Sequence, residues 1–238
     1  DPGPGGHPMS ALPDLRGKDL SALTPKERYR ILCGILPTVT LEELLEYRKM
    51  ICTLVPQLRP SLGFDQRSPH HRYDLYTHVA HVVSLVPGDL TPRWAALLHD
   101  IGKLKIPTEL LNKPGKYTDE EFAQVRLHTQ YGYELLKPLP LDAHIKLAAL
   151  SHHERCDGTG YPSGLTTNDI DPYARVVAIA DVYDAMTTAR SYRAPLCAFQ
   201  VIANFERDGL QKYDTKCVLA FLNRIAGTYQ NHRILLSD

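Results

Sequence analysis

Arg93-Trp94-Ala95-Ala96-Leu97-Leu98-His99-Asp100-Ile101-Gly102-Lys103 is the stretch on which the reading of this chain turns. Pro92 in front and Gly102 behind bracket a predicted helix from Pro92 to Ile101. By itself the His99-Asp100 pair carries nothing, because about 0.8 such dipeptides are expected by chance in a chain of this composition. Its weight comes from its company. His78, His128, His152-His153 and Asp181 each fall in or at the end of a different predicted helix. A bundle brings such ends and faces to one interior point, which is what a polynuclear metal site requires.

Outward from that stretch the pattern stays helical. Thr24-Pro25-Lys26-Glu27 opens two amphipathic segments reaching about Leu58, the second started by Thr40 with Glu43 three residues on, a capping box. Tyr73 to Val86 reads as a helix stopped by Pro87-Gly88. Thr118 with Glu121 forms another capping box and predicts a helix to about Lys137, and Asp142 caps one ending at Glu154. Asp157-Gly158-Thr159-Gly160-Tyr161-Pro162-Ser163-Gly164 is too rich in glycine and proline for regular structure. Asp171-Pro172 starts a helix to about Thr188, and Leu196–Glu206 and Thr215–Ile225 complete the series. With no strand pattern and no repeat, the expectation is an all-α helical bundle with a polynuclear metal site in its core.

The donor types point to the metals. Histidine and carboxylate without thiolate suit Fe, Mn or Zn rather than a cysteine-rich structural zinc. A carboxylate beside a histidine can bridge two ions, and Asp100 is the candidate. Asp74 precedes His78 by four residues, so on one helical face it would bring a carboxylate to a third ion. Asp181 and Asp184 lie in the otherwise apolar run Ala178-Ile179-Ala180-Asp181-Val182-Tyr183-Asp184-Ala185, where a carboxylate needs a metal or a partner. Asp181 is read as a ligand and Asp184 as the residue that orients a histidine. Lys103, at the end of the His-Asp helix, is read as a phosphate contact, and so are Arg190 and Arg193, whose guanidinium forks suit a phosphate diester.

Composition narrows the partners. Lys+Arg and Asp+Glu balance at 27 each over 238 residues, without the basic footprint of a chain that grips nucleic acid along its length. Five scattered cysteines without C-x-x-C spacing read as reduced thiols, and no apolar run approaches a membrane span, so the expected location is the cytoplasm. Residues 1–8, rich in Gly and Pro before Met9, have the look of a vector-derived leader. The expected organisation is an N-terminal helical extension over 9–60, the metal domain over 61–228 and a tail over 229–238.

Leu98-His99-Asp100-Ile101-Gly102-Lys103, Lys113-Pro114-Gly115-Lys116, His152-His153-Glu154-Arg155, Asp157-Gly158-Thr159-Gly160-Tyr161-Pro162, Ala180-Asp181-Val182-Tyr183-Asp184-Ala185 and Arg190-Ser191-Tyr192-Arg193 together resemble the HD-GYP domain, in order and spacing, over about Tyr73 to Ala226. His70-His71-Arg72-Tyr73-Asp74-Leu75-Tyr76-Thr77-His78 and Arg93 to Asp100 are also similar to the HD domain of bacterial tRNA nucleotidyltransferases. The HD-GYP resemblance implies a helical fold holding two or three metal ions, with His78, His99, Asp100, His128, His152, His153 and Asp181 as ligands. It implies Asp74 where trinuclear members have a glutamate. Lys103 and Arg190 become phosphate contacts, and Arg193 stands where a lysine is also found. It also implies that the Gly160-Tyr161-Pro162 loop shapes the substrate pocket through Tyr161 and docks to GGDEF-type diguanylate cyclases.

The expected function is a metal-dependent phosphodiesterase acting on a cyclic dinucleotide, cyclic di-GMP first, by attack of a hydroxide shared between the ions, with Asp100 and Lys103 as the catalytic pair. Fe or Mn is the expected metal, with Zn, Ni or Co as alternatives. His70, His71 and His81 are the candidates for the leaving-group acid. Two rival readings are an HD phosphohydrolase acting on another nucleotide, and a catalytically idle module that binds a diguanylate cyclase.

Overall fold

The computed structural model describes residues 12, 15, 17–64, 74–188 and 196–235, and among them there is no β-strand. The N-terminal part holds α1 (Pro25–Ile35), α2 (Leu41–Glu46) and α3 (Arg48–Leu54). Two of these starts are capping boxes, Thr24 with Glu27 and Thr40 with Glu43, in which each threonine and glutamate satisfies the other's backbone N–H. Then come α4 (Leu75–Leu85), α5 (Leu90–Leu98), the short α6 (Thr108–Leu111), α7 (Asp119–Arg126), α8 (His128–Leu136), α9 (Ala143–Ser151) and α10 (Pro172–Thr187). α11 (Ala198–Asn204), α12 (Leu210–Lys212) and α13 (Thr215–Leu235) close the chain.

The middle of the molecule is formed by α4, α5, α9 and α10 packed on one another, with α8 laid against α9 and against the 3₁₀ turn Ile101–Lys105. α5 is buried from Pro92 through Leu98, with Arg93 the one charged side chain in that run. Side chains of the N-terminal helices, Leu32, Ile35, Leu44 and Ile51 among them, belong to the same apolar cluster as Val79, Leu97, Ala148 and Val177. Two polar groups tie the parts together. Arg93, 7% exposed, donates to the carbonyls of Leu36 (3.0 Å) and Val39 (2.7 Å), and the buried Tyr76 hydroxyl donates to Leu44 (2.9 Å). A second apolar cluster, with Ile179, Tyr183, Val201, Phe205 and Val218, joins α10 to α11 and α13.

The helix boundaries correct the sequence reading at the residues that matter most. The predicted helix from Thr118 to Lys137 is two, α7 and α8, with the break at Leu127. The helix predicted to end at Glu154 ends at Ser151, and the one predicted to reach Ile101 ends at Leu98. All three corrections place a histidine at a helix terminus. His99 caps α5, His128 begins α8 and His152 caps α9. Propensity does not mark such ends, because what shapes them is a bond from the histidine ring to the backbone.

Candidate metal centre

Each of these three rings is held by the same local device. His99 Nδ1 lies 2.7 Å from the carbonyl of Ala96, His128 Nδ1 2.7 Å from that of Val125, and His152 Nδ1 3.1 Å from that of Ala149. In every case an acceptor lies three residues back, and for His152 the carbonyl of Ala148, four residues back, is equally near at 3.1 Å. Nδ1 carries the proton toward that carbonyl, so the Nε2 lone pair turns inward. His78, on α4, is held by a side chain instead: its Nδ1 sits 2.8 Å from Oδ2 of Asp184 on α10. Asp184 therefore orients a histidine while itself standing outside the donor groups.

The inward atoms form two groups, each with all its donor atoms within 4.8 Å of one another: Asp100 with His128, His152 and His153, and His78 with His99 and Asp181. The Asp100 carboxylate lies between them. Its Oδ1 is 3.4 Å from His128 Nε2 and 3.6 Å from His152 Nε2, while its Oδ2 is 3.3 Å from His78 Nε2 and 3.5 Å from His99 Nε2. Asp181 Oδ1 is 3.2 Å from His78 Nε2. Atoms bound to one ion at 2.0–2.2 Å lie roughly 3.0–3.5 Å apart, so these spacings fit donors converging on a cation. The Nε2 atoms of His99, His128 and His152 and Oδ1 of Asp100 are buried without a hydrogen-bond partner among the described residues, a cost that a cation would remove. The residues present thus fit divalent metal ions, two by the division of donors.

The electrostatics agree with that use. Burial pulls the imidazole of His99 down to about 4 and that of His128 down to about 3, and pulls His153 well below its ordinary value with help from His152 and His128. These rings are neutral donors at neutral pH. Burial also opposes charge on Asp100, but the Lys103 ammonium and then His99 more than reverse it, and the carboxyl is held well below its usual range. Asp181 is likewise held low against burial, chiefly by its hydrogen bond with His78. For His78, burial is outweighed by Asp100, Asp181 and Asp184, which raise it well above its ordinary value. A cation in this place would replace the proton.

Lys103, 8% exposed, sits on the turn after His99-Asp100 with Nζ 2.5 Å from Asp100 Oδ2. Its ammonium is thus beside the carboxylate that divides the two donor groups. Gly102 serves a purpose that its reading as a helix stop did not reach. A Cβ there would lie 1.8 Å from the His128 carbonyl oxygen and 2.4 Å from Gly132 N, so only glycine lets the turn and α8 approach. Tyr161 stacks on His153 with ring centroids 4.8 Å apart and an interplanar angle of 23°. Arg190, Arg193, His70 and His71 lie outside the described residues. His81 is half-buried, with Nδ1 3.4 Å from Asp184 Oδ1.

Asp74 needs a correction. It is the N-cap of α4 rather than a helical residue, so it does not share a helix face with His78. Its two oxygens accept from the backbone N–H groups of Thr77 (2.8 Å) and Gly63 (2.9 Å), and it is in neither donor group. A carboxylate the sequence reading did not single out is Glu154, 3% exposed, which accepts from the N–H of Ser163 (2.7 Å) and Leu165 (2.9 Å) and so holds the glycine-rich loop. Gly160 lets that loop close, since a Cβ there would meet Arg155 N at 2.3 Å and Glu154 Cα at 2.4 Å. The only signal for Glu154 was its place between the histidine pair and the loop. Its partners are backbone groups nine and eleven residues away, which no side-chain pattern announces.

Comparison with known proteins agrees with this architecture. A cyclic di-GMP phosphodiesterase of Pseudomonas aeruginosa is 51% identical over 100 residues, 42% of this chain and 24% of that protein. The cyclic di-GMP phosphodiesterase response regulator RpfG of Xanthomonas campestris is 42% identical over 133 residues, 54% of this chain and 34% of its own length. A 3'3'-cGAMP-specific phosphodiesterase of Vibrio cholerae is 34% identical over 163 residues, 66% of this chain and 35% of its own. The chain thus spans about a quarter to a third of the length of these curated relatives. Among solved structures, one described as Bd1817, a HDG"Y"P protein from Bdellovibrio bacteriovorus, matches with a TM-score of 0.51 at 20% identity, covering 90% of this chain and 74% of that one, a likeness of fold. The family model described as HD domain matches residues 87–217, more than half of the chain. Together with the cage of histidines and aspartates, that match makes the protein a member of the HD domain family.

Proposed function

We propose that this chain is a metal-dependent phosphodiesterase that hydrolyses a cyclic dinucleotide, cyclic di-GMP first. The observation that carries the reading is the Asp100 carboxylate, whose two oxygens face two separate groups of buried donors. His78, His99 and Asp181 would hold one ion, His128, His152 and His153 the other, with Asp100 between. Iron or manganese is the proposed metal, and zinc, nickel or cobalt suits the same donors less specifically. Bound there, the ions would lower the pKa of a water and offset charge on phosphorus-bound oxygens. The protein's part is to keep His99, His128 and His153 neutral, to aim the rings through their Nδ1 bonds, to keep Asp100 ionised through Lys103, and to line the mouth with Tyr161. Lys103, with Arg190 and Arg193, is proposed to hold the phosphate oxygens. The names of the relatives support the substrate class, and because some act on 3'3'-cGAMP, that dinucleotide belongs in the same assay.

Five free cysteines and no described helix long and apolar enough to cross a membrane accord with a site of action in the cytoplasm. The Gly160-Tyr161-Pro162 loop is the proposed contact for a GGDEF-type diguanylate cyclase. The test is elemental analysis of protein purified without chelator, paired with anaerobic assays on cyclic di-GMP and 3'3'-cGAMP. Two or more ions per chain and cleavage of a cyclic dinucleotide are expected. In Asp100→Ala both fall, hydrolysis by at least about 10²–10³-fold, the scale of losing one preorganised charged group. Protein that takes up no metal on reconstitution, or a variant that still cleaves, overturns the reading.

A further inference from the structure

At the rim of the metal centre, Arg126 is set against aromatic rings. Its guanidinium carbon lies 4.5 Å from the centroid of Phe122 and 4.9 Å from that of Tyr161, two rings inclined at 80° to each other. The guanidinium therefore sits in the corner they make, held by cation–π contact on two sides. Phe122 is braced in turn by Tyr117, stacked at 13° with centroids 6.5 Å apart. Arg126 is exposed, and no carboxylate or carbonyl among the described residues takes its N–H donors. The rings flank the guanidinium on two sides, while its N–H donors remain available.

Tyr161 connects this corner to the chemistry, since the same ring that takes Arg126 stacks on His153. The fork is thus one ring layer removed from the donor groups. A nucleotide whose phosphate lay at the donor groups would carry its base outward, toward this layer. A planar fork fixed at that remove matches the O6 and N7 edge of guanine, which accepts two parallel hydrogen bonds from arginine, whereas adenine offers a donor at the corresponding position. We propose that Arg126, pinned by Phe122 and Tyr161, reads a guanine base of the substrate and sets the preference for guanine over adenine. The inference rests on the reading of the site as a nucleotide phosphodiesterase and adds to it a specificity residue.

The test is calorimetric binding of 5'-GMP and of 5'-AMP to metal-loaded protein, beside hydrolysis of cyclic di-GMP and of bis(p-nitrophenyl) phosphate, a diester without bases. Wild type is expected to favour GMP over AMP by about 10-fold or more. Both Arg126→Met, which keeps the apolar stem, and Arg126→Lys, which keeps the charge without the fork, are expected to erase the preference by weakening GMP alone. For both variants, kcat/KM on cyclic di-GMP falls about 10- to 100-fold relative to that on the base-free diester, mainly through KM. Equal weakening of GMP and AMP would assign Arg126 to phosphate, and retained preference in Arg126→Lys would reduce it to a charge. Equal loss on both diesters would make it a brace for the loop. Each of these outcomes overturns the inference, as does a wild type with no GMP preference. A wild type that prefers GMP but leaves cyclic di-GMP intact removes the proposed activity and leaves Arg126 standing. One that cleaves cyclic di-GMP without a base preference does the reverse.

Discussion

The histidine cage and the glycine-rich loop beside it are neighbours built by opposite means. In the cage, three donor rings are bonded to carbonyls three or four residues back along the chain, so each histidine is aimed by its own backbone. In the loop, Asp157 to Leu165, the turn that Asp157 makes with Thr159 is local, but its far side is held from outside: one buried carboxylate, Glu154, gathers two N–H groups, and Gly160 fits only because it lacks a side chain. There the two N–H groups of Ser163 and Leu165 share one buried acceptor. The physical lesson is that aim can be made locally, whereas closure of an irregular segment needs a buried acceptor to take its backbone donors.

His78 is the exception within the cage, and of the changes that separate cage from loop its partner gives the largest expected effect. Because its ring is held by Asp184 rather than by a carbonyl, Asp184→Ala should lower metal affinity or turnover about 10- to 100-fold, measured by competition with a chelator and by assay, while Asp184→Asn falls between the variant and wild type. An unchanged affinity would mean that the neighbouring carboxylates aim His78 without it.

The loop should break differently. Glu154→Ala leaves two loop N–H groups without their acceptor and should cost about 1–3 kcal/mol in urea unfolding, with KM raised and metal content retained. Loss of metal to the same degree would erase the distinction between the two regions.

The smallest effect lies away from both and calibrates the pH behaviour. His144, on the first turn of α9, pairs with Asp171, the cap of α10, at 2.5 Å, and that hydrogen bond raises the histidine above its ordinary value of 6.5. A raised folded value means the stabilisation is complete below pH 6.5 and is lost as pH rises through the folded value. With the His144 side chain 47% exposed, the amount is well under about 1 kcal/mol. Thermal unfolding from pH 5.5 to 8.5 should therefore lose a small downward slope in His144→Ala, with the behaviour of the cage unchanged.

Much of the fold was legible because capping chemistry is local. Thr40 with Glu43 and Thr118 with Glu121 start helices where their spacing said they would, and the apolar run before His99 became the most buried helix. The helical class followed from the absence of any alternating pattern. The ends of those helices were not legible, since a histidine that terminates a helix through its own ring looks, in a sequence, like one that continues it. Asp74 was misplaced for a related reason. Spacing of four means a shared face only inside a helix, and Asp74 stands just outside one, where a carboxylate accepts backbone N–H groups instead.

The sequence by itself determined the donor types, the histidines and carboxylates without thiolates, and the helices that carry them, because both are properties of residues and of their near neighbours. Only the tertiary structure decided how Asp100 divides its oxygens, why Gly102 must be glycine, and which carboxylate closes the loop. Those depend on approaches between segments far apart in the chain, such as Gly102 against His128 and Gly132 or Asp184 against His78, and distance in space is the one quantity that order along the chain does not contain.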